Sequence, residues 1–178
     1  MIAVDRTTSE TNVRVEMAIG CGHADVSTGV PFLDHMMTAL ARYSRLDLTI
    51  VASGDLRHHL IEDVALTVGE ALRRVLPSTC ARYGERTVPM DEALVHAVLD
   101  AGGRPYYRGP IPSSLYDHWM QSFCDASKVT LHLRVLRGTD RHHIVEAAFK
   151  ALGFALRQAL VDTGTVFSTK GSVALGNG

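Results

Sequence analysis

One sequence unit occurs twice in this 178-residue chain, and the repeat limits the folds open to it. The segments Arg57–Glu62 and Arg141–Glu146 both read Arg-His-His-x-x-Glu, and each opens a longer stretch in which apolar residues recur at helical spacing. A lone histidine precedes the first histidine of each pair, His35 by 23 residues and His118 by 24. We therefore expect two related halves that pack against each other.

The apolar patterns of both halves predict strands and helices in the same order. Strands alternate apolar and polar residues, whereas the helices carry apolar stripes at spacings of three and four. The predicted strands are Asn12–Ile19, Leu46–Ala52, Glu92–Leu99, Arg104–Arg108 and Val129–Leu136, and the predicted helices begin at Pro31, His58, Leu115 and His142. Glu92–Leu99 and Arg104–Arg108 are expected to form a hairpin around Gly102-Gly103, and Ser78–Arg86 is expected to be a polar connector.

These patterns predict an α+β fold made of an internally duplicated strand(s)-helix-strand-helix unit. Each helix has one apolar stripe to bury, so the economical arrangement packs the helices between two sheets. Residues 1–84 are expected to form the first half and residues 85–178 the second, and together they make one globular domain. The tail from Asp162 is rich in Gly, Ser and Thr, and its composition alone predicts a frayed segment.

Composition excludes several classes of partner. The net charge is −1, the isoelectric point is near 6.7 and aromatic residues make up 6% of the chain, so neither nucleic acid nor a membrane surface is expected as a partner. No apolar run approaches the roughly 18 residues of a membrane span. Three cysteines without Cys-x-x-Cys spacing indicate thiols in a reducing compartment. We expect a cytoplasmic protein, or a plastid one from which a transit peptide has been removed.

The repeated histidines and glutamates have the residue types and spacing of a metal site assembled from two halves. Neighbouring residues on a helix point about 100° apart, so the two histidines of a pair are expected to reach different ions. The glutamate of each motif follows them by three and four residues, near the side of either. Six imidazoles and two carboxylates divide into two sets of three His and one Glu, and donors without thiolate favour Mn, Fe, Zn or Co. The candidate ligands are His35, His58, His59, Glu62, His118, His142, His143 and Glu146.

Six further motifs lie in order along the chain besides the repeat. They are Arg6–Thr11, Thr28–Met36, Val88–Leu94, Gly103–Tyr106, Glu146–Ala151 and Ser168–Gly171. In content and order, these motifs and the duplicated His…His-His-x-x-Glu pattern resemble the imidazoleglycerol-phosphate dehydratase family. The resemblance runs from about Arg6 to Gly171 and implies halves of the ribosomal S5 domain 2-like type.

The resemblance implies a dehydratase of histidine biosynthesis. Such an enzyme removes water from D-erythro-imidazole-glycerol phosphate to give imidazole-acetol phosphate, with two manganese ions per active site held by the candidate ligands. It implies that Glu10 is the acid–base carboxylate and that the substrate phosphate binds to a set of four residues. These are Arg82, Arg104, Ser168 and Lys170. It also implies a homo-oligomer of 24 subunits with sites at subunit contacts, and a C-terminal tail that substrate orders.

The chain departs from the family pattern beside the first His pair. The segment Gly54–His59 is shorter than usual and carries Arg57 where the family has Asp. Leu60-Ile61 replaces Thr-Val, and the residues after His118 read Trp-Met-Gln-Ser instead of Phe-Phe-Arg-Ser. These changes remove no candidate ligand but alter the surroundings of the site. Two alternatives stay open: a metal-dependent relative that acts on another small phosphorylated substrate, and a non-catalytic shell in which metals only join subunits.

Overall fold

The computed structural model describes residues 1–166, which form two successive series of strands and helices. The first series is β1 (Ile2–Thr7), β2 (Thr11–Ile19), β3 (Ala24–Ser27), α1 (Pro31–Ser44), β4 (Leu46–Gly54) and α2 (Arg57–Val75). The second is β5 (Tyr83–Met90), β6 (Ala93–Asp100), β7 (Tyr106–Arg108), α3 (Ser114–Ser127), β8 (Thr130–Arg137) and α4 (Arg141–Ala159). Each element of one series has a counterpart in the other. Within the described range, no helix combines the length and apolar character needed to cross a membrane.

Each series forms one four-stranded sheet with the same connections. The strand order is β1-β2-β4-β3 in the first sheet and β5-β6-β8-β7 in the second. The longer strands run antiparallel to their neighbours, and the short strands β3 and β7 pair in parallel with β4 and β8. Along β2, Val13, Val15 and Met17 are buried while Arg14 is exposed, so the alternation gives the sheet one apolar face.

The four helices cover these apolar faces and pack across the boundary between the halves. α2 lies against β1 and β2 of its own sheet and against α3 of the other half, whereas α4 lies against β5, β6 and α1. Large side chains such as Trp119, Phe123 and Phe149 are fully buried in a core that both halves share. The predicted α+β fold, a duplicated unit with helices between two sheets, is confirmed.

Three strands were missing from the sequence prediction, and all three lie at sheet edges. β1 buries only Val4, and β3 has no fully buried residue, so neither shows the alternation of an inner strand. The predicted connector Ser78–Arg86 is wrong in its second part, because β5 begins at Tyr83. The boundary expected after residue 84 therefore falls inside a strand of the second sheet.

The predicted hairpin of Glu92–Leu99 with Arg104–Arg108 is also wrong. β6 pairs with β5 on one side and with β8 on the other, so neither of its edges is free for β7. β7 instead pairs with the outer edge of β8, where Tyr107 lies opposite Leu131. The segment around Gly102 thus carries the chain past β8 rather than back along β6.

Two matched glycines set how closely the helices of the two halves approach. A Cβ at Gly69 of α2 would lie 2.7 Å from the Phe123 carbonyl oxygen and 2.8 Å from the Ala126 Cβ on α3. A Cβ at Gly153 of α4 would lie 2.8 Å from the Tyr43 Cβ on α1. The glycines occupy the same place in the two repeats, so the missing side chain permits both helix crossings.

Alanine at either glycine should therefore destabilise the fold, although alanine is the better helix former. The propensity gain of about 1 kcal/mol is outweighed by an overpacking cost of about 1–3 kcal/mol. We expect Gly69→Ala and Gly153→Ala to lower the urea midpoint of unfolding. Arg157→Ala, on an exposed part of α4, should change stability by less than about 0.5 kcal/mol. Glycine variants as stable as the parent would show that the crossings tolerate a wider spacing.

Candidate metal centre

The first candidate cluster joins α1 of the first half to α4 of the second. His35 lies in the second turn of α1, and His142 and Glu146 lie one turn apart on α4. The Nε2 atoms of His35 and His142 are both 3.3 Å from Glu146 Oε2. One donor atom from each of the three residues lies within 4.8 Å of the others, with Glu146 buried and both histidines exposed. Two nitrogen donors and one oxygen donor therefore converge at the surface.

The second candidate cluster is the counterpart of the first and lies between α2 and α3. Glu62 places one oxygen 3.3 Å from His118 Nε2 and the other 3.7 Å from His58 Nε2. The rings of His58 and His118 stack with their centroids 5.2 Å apart. His118 Nε2 is buried and accepts or donates no hydrogen bond among the described residues. The Glu62 oxygen is close to it but does not have hydrogen-bonding geometry. A buried ring nitrogen ordinarily has a partner, and a metal ion would provide one.

Each cluster takes its lone histidine from one half and its His–Glu pair from the other. This follows from the packing, because α1 crosses α4 and α2 crosses α3. All six residues lie in the first two turns of their helices, so the N-terminal ends of the four helices carry the candidate centre. The duplicated fold thus brings six of the eight candidate ligands into two matched clusters.

The other two candidate ligands, the second histidine of each pair, point elsewhere. The ring planes of His58 and His59 differ by 71°, and those of His142 and His143 differ by 89°. This divergence is the direct result of adjacent positions on a helix. Within one chain, each cluster therefore holds two of the three imidazoles expected for it.

His59 and His143 lie against carboxylates instead. His59 Nδ1 is 3.0 Å from Asp55 and 3.4 Å from Glu10, and the donor atoms of these three residues approach within 4.8 Å. His143 Nδ1 is 2.6 Å from Glu92. The hydrogen bond from each ring to its nearest carboxylate raises the pKa of both histidines. With Nδ1 engaged in this way, Nε2 is the nitrogen that a metal ion would use.

Glu92 is a residue of the centre that the sequence reasoning missed. Glu92 immediately precedes β6, just as Glu10 immediately precedes β2 in the first half. Alignment of the two repeats could therefore have identified Glu92 as the counterpart of Glu10. The N–H groups of Asp140 and Thr139 donate to Glu92 at 2.8 and 3.2 Å. The Asp140 N–H first and the His143 ring second lower the pKa of Glu92 to about 2. Glu92 therefore fixes both the start of α4 and the orientation of His143.

A Glu92→Gln substitution should lower stability in a pH-dependent way. The folded-state pKa near 2 lies below the ordinary value of 4.5, so ionised Glu92 stabilises the fold above that ordinary value. This contribution is lost as the pH falls from there towards the folded pKa. We expect the variant to have a lower melting temperature than the parent at neutral pH, and the gap to shrink in acid. Asp25→Asn, at an exposed position of β3, is the control, and an unchanging gap in Glu92→Gln would rule out this role.

The two clusters differ in one charged neighbour. Lys150, one turn beyond Glu146 on α4, places Nζ 2.7 Å from Glu146 Oε1, whereas the matching position on α2 is Leu66. Burial raises the pKa of Glu146, but hydrogen bonds from Lys150 and His35 outweigh that effect, and the net shift is downward. Glu146 is therefore held in the ionised form that a metal ion requires.

Both clusters fit a divalent cation on chemical grounds. Imidazole nitrogen and carboxylate oxygen without thiolate suit Mn, Fe, Zn or Co. The buried Nε2 atom of His118 has no hydrogen-bond partner among the described residues, and Glu146 is held in its ionised form, so both clusters offer a group to a metal ion. Three protein donors leave coordination positions open, as in catalytic rather than purely structural sites. The clusters can therefore accept a substrate or a further ligand.

The predicted phosphate-binding residues lie apart from the clusters within one chain. Arg82 donates to both oxygens of Asp100, at 2.7 and 2.9 Å, and lines a cavity of about 240 Å³ beyond the C-terminal end of α2. The second cluster is at the opposite end of this 19-residue helix, which spans about 28 Å. Arg104 is exposed just before β7, and Ser168 and Lys170 lie outside the described residues.

Comparisons with known proteins identify one family for this sequence and fold. The family model of imidazoleglycerol-phosphate dehydratase (IGPD) matches residues 28–156. The IGPD of Salinispora tropica is 46% identical over 197 aligned residues, which cover 96% of this chain and 97% of that protein. The IGPD of Paenarthrobacter aurescens is 45% identical, with 96% of this chain and 93% of that protein covered.

Solved structures agree with the sequence comparisons. The crystal structure of IGPD from Pyrococcus furiosus superposes with a TM-score of 0.86 at 41% identity, covering 96% of this chain and all of the other. The Staphylococcus aureus enzyme gives a TM-score of 0.79 at 30% identity, with 92% and 100% covered. By sequence and fold, the chain belongs to the imidazoleglycerol-phosphate dehydratase family of hydro-lyases.

Proposed function

We propose that the chain is a manganese-dependent dehydratase that converts D-erythro-imidazole-glycerol phosphate into imidazole-acetol phosphate and water. The observation that carries this proposal is the pair of matched His-His-Glu clusters in a chain of this family. The carbon–hydrogen bond to be broken is not next to a carbonyl group. A carboxylate base acting alone would therefore face a high barrier to removing this proton. Metal ions held by the clusters would lower that barrier.

The clustered residues are proposed to hold two manganese ions per active site. They are His35, His142 and Glu146 in one cluster, and His58, His118 and Glu62 in the other. His59 and His143, which point away from both clusters, are proposed to reach ions held by neighbouring subunits. When bound, manganese would bind the imidazole ring of the substrate as a Lewis acid and stabilise the negative charge that develops on it.

Glu10 is proposed to move the proton. Its side chain is exposed just before β2, and its Oε2 atom lies 3.4 Å from His59 Nδ1, so it stands beside a candidate ligand. A carboxylate in that position can accept the proton from carbon and return it to the departing hydroxyl group. One carbon–hydrogen bond and one carbon–oxygen bond then break, a carbon–carbon double bond forms as water leaves, and the resulting enol takes the keto form of imidazole-acetol phosphate.

The separation of the metal clusters from Arg82 supports a site shared between subunits. The substrate is only a three-carbon chain between an imidazole and a phosphate, far shorter than the roughly 28 Å of α2 that separates the two sets of residues. We therefore propose a homo-oligomer in which one subunit binds the phosphate and another supplies the metal cluster. An assembly of 24 subunits is the state that the family resemblance implies.

Co-assembly of two inactive variants tests the shared site. Arg82→Gln removes a phosphate donor and His118→Ala removes a metal ligand, so each pure oligomer should be nearly inactive. In mixed oligomers, some sites combine the metal cluster of an Arg82→Gln subunit with the phosphate-binding surface of a His118→Ala subunit. Random mixing of equal amounts should restore roughly a quarter of the sites. Mixed oligomers, verified by native mass spectrometry, that regain no activity would show that both functions belong to a single chain.

A direct assay tests the reaction itself. Purified protein incubated with Mn²⁺ and the imidazole substrate should produce imidazole-acetol phosphate, and a chelator should stop the reaction until Mn²⁺ is returned. Metal binding with turnover of a different phosphorylated compound would favour a relative with another substrate. Metal-dependent assembly without turnover of either would favour the non-catalytic shell.

A further inference from the structure

We propose that a second anion site, separate from the phosphate-binding residues assigned above, lies between the N-terminal ends of α2, α3 and α4 and binds a phosphate group. A cavity of about 520 Å³ occupies this position. Its polar lining comprises Arg57, Arg141, Ser113, Ser114, Tyr116 and His142. No carboxylate is present among the described residues that line it. The inference does not depend on the proposed dehydration reaction.

Two arginines without a carboxylate partner among the described residues give the cavity its charge. Arg57 and Arg141 are the first residues of α2 and α4 and are matched positions of the repeat. A cation at a helix N-terminus opposes the helix dipole, so each arginine adds positive charge where the backbone already supplies some. Within residues 1–166, neither arginine forms an ion pair with a carboxylate. An anion between them would relieve this concentration of charge.

The N-terminus of α3 adds a serine hydroxyl and backbone N–H groups that make no capping hydrogen bonds among the described residues. Ser113, its N-cap residue, makes no side-chain capping hydrogen bond. Among the described residues, the N–H groups of Ser114 and Leu115 in the first turn have no backbone acceptor. Uncapped N–H groups at the start of a 14-residue helix are suited to a phosphate oxygen.

The Tyr116 hydroxyl is an independent sign of a missing ligand. Tyr116 is 3% exposed, and its hydroxyl finds no hydrogen-bond partner in the described part of the chain. Burial raises the pKa of this hydroxyl, and the neighbouring Arg57 side chain, which interacts with it without reaching hydrogen-bonding geometry, opposes the shift. Buried hydroxyl groups rarely lack a partner, and an oxyanion held by Arg57 would supply the acceptor.

The lining favours a phosphate, free or attached to a small organic group. Guanidinium groups match the oxygens of phosphate with paired hydrogen bonds, and the serine and tyrosine hydroxyls can donate to the remaining oxygens. Phe32, Leu115 and Val145 add apolar surface to the same cavity, which could accommodate a short carbon chain. The chemical class is therefore a phosphate dianion or a phosphate monoester.

Calorimetric titration of the metal-loaded protein with inorganic phosphate, and separately with glycerol 3-phosphate, tests the site. The measurements are made in an Arg104→Gln background, which weakens the other phosphate-binding surface. We expect the added pair Arg57→Gln and Arg141→Gln to weaken binding at least tenfold, because each loses a charged hydrogen bond. Tyr116→Phe should weaken it less, and Arg134→Gln, at an exposed position of β8, should leave it unchanged.

The outcomes separate the possibilities. Tighter binding of glycerol 3-phosphate would identify an organic phosphate as the ligand, and tighter binding of inorganic phosphate would identify the free ion. Parent-like affinity in the double arginine variant, with the fold verified by circular dichroism, would overturn the site. Absence of binding by either probe would overturn it as well. Because turnover is not measured, these results stand apart from those on the dehydratase reaction.

Discussion

Substitution of His118 by alanine should reduce the metal content from two ions per chain to one. His118 is the α3 donor of the second cluster, and its Nε2 atom is buried and unpartnered among the described residues. Loss of a direct ligand should weaken binding by more than the 10–100-fold that follows loss of an outer hydrogen-bond partner. His35→Ala should have the same effect on the first cluster, and the double variant should bind neither ion. Metal analysis after gel filtration measures the stoichiometry.

A third histidine serves as the control for these variants. His132 lies on an exposed part of β8 beside Tyr106, with ring centroids 5.4 Å apart, and has no counterpart in the other half. His132→Ala should keep both ions. If His118→Ala and His35→Ala each retained two ions under the same conditions, the two clusters would not be the metal sites.

The repeat made the members of the clusters predictable but not the way they combine. Residues four apart on a helix lie on one side, so the sequence places His58 beside Glu62 without any knowledge of the fold. Which lone histidine joins them depends on which helices cross. That choice follows from contacts distant in sequence, such as Gly69 of α2 against Phe123 of α3, and no local pattern encodes it.

Local patterns failed where the deciding partner lies far along the chain. β5 has weak alternation, and its position depends on Gly84, which packs directly against the Ala155 backbone of α4. The role of Glu92 depends on a turn almost 50 residues later, where Asp140 begins α4. The clusters, by contrast, rest on short helical spacings that are visible in the sequence. The metal-binding residues were therefore easier to predict from the sequence than the edge strands of the fold.

Turnover by Glu10→Gln should be almost abolished while the metal content stays unchanged. Glutamine retains the size of the side chain but removes its negative charge and its capacity to exchange a proton. General acid–base groups contribute about 10²–10⁴-fold, so kcat should fall by that factor with KM little altered. Glu10 belongs to neither His-His-Glu cluster, and both ions should therefore remain bound.

Asp55→Asn separates proton transfer from the orientation of His59. Asp55 lies nearer than Glu10 to His59 Nδ1, at 3.0 Å against 3.4 Å, and hydrogen bonding to His59 lowers the pKa of Asp55. If Glu10 acted only by orienting that ring, the loss of Asp55 should be at least as damaging. We expect Asp55→Asn to reduce activity only about 10–100-fold, together with weaker metal binding. Near-parent kcat in Glu10→Gln would remove the acid–base assignment, because glutamine cannot exchange a proton with the substrate.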